Sequence, residues 1–190
     1  MKKYSYKEIV KKVEKIVKEE CKKSVNIFGY GFWTGHIMSV VKYAKLLTKR
    51  FKANKEIVEL AALLHDIGVV KGDKPNHHIS GVKETEKILK KLNYPPEKIE
   101  KIKHCIFAHR SSKSIPRETI EAKIIATADA MSHFDEIPSL FESAFIRFKM
   151  SPKEGKKWLS AKLERDWKKL IPEARKLVKD KYEAIRLILQ

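Results

Sequence analysis

A chain of 190 residues is long enough for one domain with a sizeable core. Seven glycines, seven prolines and the lack of β-rich runs broken by tight turns argue against a sandwich or barrel, and no apolar run approaches a membrane span. The net charge of +18 has two readings, a footprint for nucleic acid or another polyanion and a lysine-rich solvated surface; lysines mixed with glutamate along nearly every predicted helix favour the second.

The chain opens on a predicted amphipathic helix and not an apolar signal segment, so a cytoplasmic protein is expected. Ser5-Tyr6-Lys7-Glu8 reads as a capping box, followed by the apolar stripe Ile9, Val10, Val13, Ile16 and Val17 to about Glu20. Cys21 and Cys105, far apart and without metal-type spacing, read as reduced thiols. Between Ser24 and Thr34, Gly29 and Gly31 alternate with Phe28, Tyr30, Phe32 and Trp33. Such aromatics line a pocket mouth or, more often, fill a core. His36 stands near the start of a helix predicted from Gly35 to about Arg50. Asn54 caps the next helix, where Ile57, Leu60, Ala61 and Leu64 recur at helical spacing and Gly68 offers a stop. That helix delivers His65-Asp66. An ionisable pair at the end of a buried apolar helix is costly unless something compensates it, and a cation does. Neutral imidazole beside carboxylate suits a first-row divalent metal.

The polar loop from Val69 to Asn76 carries Lys71 and Lys74, which either reach an anionic substrate or are simply solvated. His77-His78 opens a helix to about Leu92, with His78 read as an exposed cap. Pro95-Pro96-Glu97 starts another, carrying His104 and, at its end, His109, before Arg110 and a Ser111–Ser114 loop. A helix predicted from Pro116 to about Phe134 holds Asp129 in a run of alanines, the same anomaly as His65-Asp66. Ser151-Pro152-Lys153-Glu154 is a second capping box, and Pro172 starts the last predicted helix. From Ser139 onward, Phe141, Phe145, Phe148, Trp158 and Trp167 suggest a helical cover or an oligomer surface. With no internal repeat or domain boundary, the expectation is one all-α domain over residues 1–190.

His36, His65-Asp66 and Asp129, set in Leu63-Leu64-His65-Asp66-Ile67-Gly68 and Ile125-Ala126-Thr127-Ala128-Asp129-Ala130, resemble the HD-domain superfamily of metal-dependent phosphohydrolases. The resemblance spans roughly Gly35 to Phe134. It implies an all-α helical bundle with a core at about 33–135 and a C-terminal helical extension at about 138–190. It also implies one divalent metal (Mn, Fe, Co, Ni or Zn) held by His36, His65, Asp66 and Asp129. The implied reaction is attack of metal-activated water on a nucleotide-like phosphoester or phosphoanhydride. His65, Asp66, Lys71 and His109 are then catalytic candidates, and Lys71, Lys74, His77 and Arg110 are candidates for binding the phosphorylated substrate.

Relatives with a second metal add two histidines. His77 in His77-His78-Ile79-Ser80-Gly81 and His109 after Ile106-Phe107-Ala108 fit those places, with His104 as a substitute and Asp66 as the bridge. One metal or two stays open. This chain departs from its resemblances at Arg110, and at Ser39 and Thr127, where short nucleotide hydrolases often carry arginine and aspartate. Two other classes are a nucleotide-sensing regulatory protein without turnover and a basic nucleic-acid-binding module. A homo-oligomer built on the helices after Ser139 is one reading and completion of a monomer core the other; no membrane partner is expected.

Overall fold

Helices begin where the sequence supplies an acceptor for their first amides. In the computed structural model, which describes residues 4–110, 113 and 115–190, helix α1 spans Tyr6–Cys21. Ser5 Oγ accepts from the Glu8 amide, and the Glu8 carboxylate accepts from the Ser5 amide at 2.8 Å, the predicted capping box. Met1 to Lys3 lie outside the described residues, as do Ser111, Ser112 and Ser114 of the predicted loop. A π-helical turn, Trp33–Ile37, leads into α2, Met38–Phe51. Asn54 caps α3, Lys55–Leu64, and α4 is a single turn, Ile67–Val70. Then come α5, His77–Lys91; α6, Pro96–Ala108; and α7, Ile120–Asp135. After α8, Ile137–Glu142, a second π-helical turn covers Ser143–Arg147. The second capping box starts α9, Pro152–Lys169, before α10, Pro172–Arg175, and α11, Lys179–Ile188.

Three expectations are corrected. Helix α7 starts at Ile120 and not Pro116, because Thr119 supplies the hydroxyl that accepts from the Ala122 amide, whereas Ile115 before Pro116 has no cap to offer. The last helix is two pieces, α10 and α11. Gly68 does not stop α3; it lies inside α4, where a Cβ would sit 2.5 Å from the His77 carbonyl oxygen and 2.6 Å from Ser80 Oγ. The missing side chain lets the start of α5 close onto α4, and this close approach places His77.

Helix α7 is the axis. Every residue from Ile124 to Ser132 is buried, the pattern of a helix enclosed on all sides. Helices α2, α3 and α6 pack around it, and α9 closes its remaining side. One buried apolar cluster runs from Ile9 of α1 to Ile185 of α11, with both cysteines free and buried within it. Among the described residues there is no strand, and no helix is long and apolar enough to cross a membrane.

Candidate metal centre and cleft

Asp66, between α3 and α4, faces two pairs of histidines. Its Oδ2 lies 3.4 Å from His36 Nε2 and 3.6 Å from His65 Nε2. Its Oδ1 lies 3.4 Å from His109 Nε2 and 3.7 Å from His77 Nε2. Each ring is fixed from behind. His65 Nδ1 is 2.8 Å from the Ala62 carbonyl, His77 Nδ1 is 2.8 Å from the Lys74 carbonyl, and His109 Nδ1 is 2.5 Å from the Ile106 carbonyl. A carbonyl only accepts, so in each ring Nδ1 carries the proton. Ser132 Oγ donates to the Asp129 carbonyl at 2.7 Å and therefore accepts from His36 Nδ1 at 3.1 Å. In their neutral form all four histidines thus present an Nε2 lone pair toward Asp66.

Lone pairs gathered around a carboxylate repel one another unless a cation lies among them. His36 Nε2 and His65 Nε2 are 3.1 Å apart. Donors about 2.1 Å from one ion stand about 3.0 Å apart at octahedral positions and about 3.4 Å apart at tetrahedral ones. The His36, His65 and Asp66 spacings of 3.1, 3.4 and 3.6 Å lie in or close to that range, so these residues fit a divalent metal. Asp66, His77 and His109 form a second group whose ligand atoms lie within 4.8 Å of one another. Burial keeps His65 neutral, pushing its pKa down to about 4, as a ligand imidazole needs.

Asp129, on α7, joins this centre from the far side, with Oδ1 3.7 Å from His36 Nε2. It groups with His36 and His133 and not with His65 and Asp66. Its Oδ2 accepts from Lys169 Nζ at 2.6 Å. Burial acts to raise the Asp129 carboxyl, but the Lys169 ammonium and the neighbouring imidazoles outweigh it and hold it well below the usual carboxylate range.

The centre opens into a cleft of about 380 Å³. His36, Asp66, His77, His109 and Asp129 line it, as do Lys74 and Arg110. Lys74 Nζ sits 3.6 Å from the centre of the Phe148 ring and 5.4 Å from that of Phe28, and burial, then the like charge of Lys162, push its ammonium below its ordinary value. Arg110 donates to the Pro75 carbonyl at 2.5 Å and lies 3.0 Å from His78 Nδ1.

Two candidates fall elsewhere. Lys71 pairs with Glu84 at 2.5 Å and does not line the cleft. His104 accepts from the Glu118 amide at 3.3 Å, because its place five residues before His109 puts it on another face of α6. His78 is buried and not an exposed cap, stacked on Phe107. Of the aromatic segment, Trp33 is core, whereas Phe28 and Phe32 line the cleft.

Sequence reasoning missed the contribution of α9. His133, one turn after Asp129, lines the cleft with its Nδ1 3.0 Å from Asp166 Oδ2. Lys162, Arg165 and Trp158 line it as well, so the supposed cover is a wall of the site. The signals were present: Asp129 and His133 share a helix face, and Asp166 takes the third place in the buried stripe Leu159, Leu163, Asp166. Thr127, where relatives often carry aspartate, accepts from the Ile171 amide at 3.2 Å and helps seat the turn into α10.

A family model described as HD domain matches residues 33–133 of the chain. An uncharacterized protein of Clostridium beijerinckii is 37% identical over 83 residues, 42% of this chain and 53% of that protein. A tRNA (cytidine(56)-2'-O)-methyltransferase of Picrophilus torridus is 30% identical over 115 residues, 55% of this chain and 33% of that protein. The chain thus spans about half of the first relative and a third of the second. Among solved structures, an HD-superfamily hydrolase from Bacillus thuringiensis superposes with a TM-score of 0.71 at 20% identity, over 97% of this chain and 95% of that one. YpgQ of Bacillus subtilis, solved in complex with ADP, gives 0.71 at 21% identity, over 96% and 93%.

Proposed function

The chain belongs to the HD domain family, and from that premise we propose that it is a metal-dependent phosphohydrolase cleaving a nucleotide-like phosphoester or phosphoanhydride. The observation that carries this reading is the convergence of four histidine Nε2 atoms on the two oxygens of Asp66. His36, His65 and Asp66, with Asp129, would hold one divalent ion; His77 and His109 would hold a second across Asp66. A metal bound there lowers the pKa of water and polarises a phosphoryl oxygen. The chain's own side chains do the rest. Lys74 and Arg165 place positive charge along the cleft, beside Arg147 and Lys162, which pair with Glu142 and Asp166, and this charge would offset phosphate charge as the phosphorus is attacked. Phe28, Phe148 and Trp158 supply aromatic surface along the cleft against which a base can pack. The ADP held by YpgQ supports a nucleotide as the ligand class.

The test is a panel of nucleoside mono-, di- and triphosphates with chelator-treated protein and added Mn²⁺. Metal-dependent release of phosphate or pyrophosphate, abolished in folded His65→Ala, is the expected result. Full turnover in His65→Ala overturns the assignment, and tight nucleotide binding without turnover favours a sensor. The match to part of a tRNA methyltransferase supports RNA as a second ligand, with which the +18 charge is compatible. That reading requires RNA binding that weakens steeply with salt.

A further inference from the structure

A second carboxylate–histidine pair, Asp166 on α9 and His133 on α7, lies outside the motif His36, His65-Asp66, Asp129. Asp166 is fully buried, and its Oδ2 lies 3.0 Å from His133 Nδ1. A carboxylate accepts, so His133 Nδ1 donates, and in the neutral ring Nε2 keeps its lone pair. That Nε2 lies 3.8 Å from Asp129 Oδ1, and the His133 and His36 rings stack with centres 5.2 Å apart. A lone pair facing a carboxylate oxygen is unfavourable unless something positive joins them. Lys162 does not fill that place. Its Nζ stands 3.2 Å from Nδ1 and 3.3 Å from Nε2, equidistant from both and so against the ring, off the axis of the Nε2 lone pair. The ligand atoms of His36, Asp129 and His133 all lie within 4.8 Å of one another.

We propose that His133 is a further ligand of the metal that His36 and Asp129 bind, held in its ligating tautomer and orientation by Asp166. The proposal rests on the metal-dependent reading above. It makes α9 part of the metal centre, since Asp166 orients one ligand while Lys169 anchors Asp129. A carboxylate behind a metal-bound imidazole fixes the ring and raises its basicity, and its loss costs about 10- to 100-fold in metal affinity.

Co²⁺ is the probe, read by calorimetry and by its visible absorption in chelator-treated protein. The variants are His133→Asn, whose amide can still donate to Asp166, Asp166→Asn, and His65→Ala as reference. Melting of the metal-free variants shows that each is folded. The expected result is a loss of Co²⁺ affinity of about 10-fold or more in both His133→Asn and Asp166→Asn, with a changed absorption band in His133→Asn. Wild-type affinity and an unchanged band in both, with binding lost in His65→Ala, overturns the role of His133 and leaves the metal centre standing. Failure of the wild-type protein to bind Co²⁺, or undiminished binding in His65→Ala, overturns the metal centre itself and the role of His133 with it.

Discussion

Glu59 and Asp66 are both buried acids on or just after α3, yet their surroundings are opposite in kind. Glu59 meets protons. The Tyr6 hydroxyl donates to its Oε2, and Lys45 Nζ lies 2.7 Å from its Oε1. Burial and the bond to Glu59 push the Tyr6 phenol well above its ordinary value, so it stays a donor. Asp66 meets lone pairs, two imidazole nitrogens at each oxygen. The first acid is neutralised within the fold and ties α1 to α3. The second is left for a cation, a stability cost retained where function needs it.

The sharpest way to break this comparison is Asp66→Asn. The amide keeps the shape, removes the charge and can donate to one imidazole. Metal affinity should fall by more than about 100-fold, or roughly 2.7 kcal/mol. The metal-free variant should nevertheless melt no lower than metal-free wild type. Calorimetric titration with Mn²⁺ and thermal unfolding in chelator read the two quantities separately. A metal-free variant that unfolds several degrees early would show that Asp66 is satisfied by its neighbours, as Glu59 is.

Glu59→Gln is the converse. It should leave Mn²⁺ affinity unchanged and cost about 1–2 kcal/mol, because a charge-assisted hydrogen bond is lost at a buried position. For a chain of this size that lowers the melting temperature by about 2–4 °C per kcal/mol. The pH dependence has a defined sign. Burial acts to raise the Glu59 carboxyl, but Lys45 and Tyr6 outweigh it and hold it below its ordinary value. Its contribution is therefore fully present above the unfolded value of about 4.3 and is lost as pH falls through the folded value. The gap between wild type and Glu59→Gln should narrow on acidification from about pH 6 to about pH 3. A gap that widens would mean that Glu59 is not held ionised by its partners.

The Asp66 side of this contrast is legible in the sequence, whereas the pairing of Glu59 with Tyr6 and Lys45 is not. The apolar run to Leu64, the capping residues Ser5, Asn54 and Ser151, and the residues His36, His65, Asp66, His77, His109 and Asp129 all stand out by type and spacing. They stand out because a polar residue at the end of, or within, an apolar run breaks a local pattern. Lys162 and Lys169 break no such pattern in a lysine-rich amphipathic helix, and the break that Asp166 makes in the stripe Leu159, Leu163, Asp166 takes its meaning from the docking of α9 against α7, a contact distant in sequence. The π-helical turn that carries His36 was hidden for a related reason. Its sequence is compatible with an ordinary first turn of α2, and no local residue marks the wider π-helical turn, a feature common at functional sites.

The smallest expected effect falls on Lys71. In sequence it and Lys74 are two lysines of one polar loop with equal claims on an anionic substrate. The fold separates them. Lys71 pairs with Glu84 across the surface, whereas Lys74 lies between the rings of Phe148 and Phe28 at the cleft. A surface pair is worth about 0–1 kcal/mol. Lys71→Ala should therefore shift stability by less than that and leave kcat/KM for a nucleotide substrate within about twofold of wild type, a rate difference of about 0.4 kcal/mol. Lys74→Ala, measured beside it, should raise KM, since it removes positive charge from a desolvated wall. The pair tests the principle behind the Glu59 and Asp66 contrast on side chains of the opposite sign. A charge already matched by the fold is spent on stability, and a charge left facing the cleft is available to a ligand. Equal losses in the two lysine variants would mean that the loop's positive field as a whole, and not the placement of one ammonium, attracts the substrate.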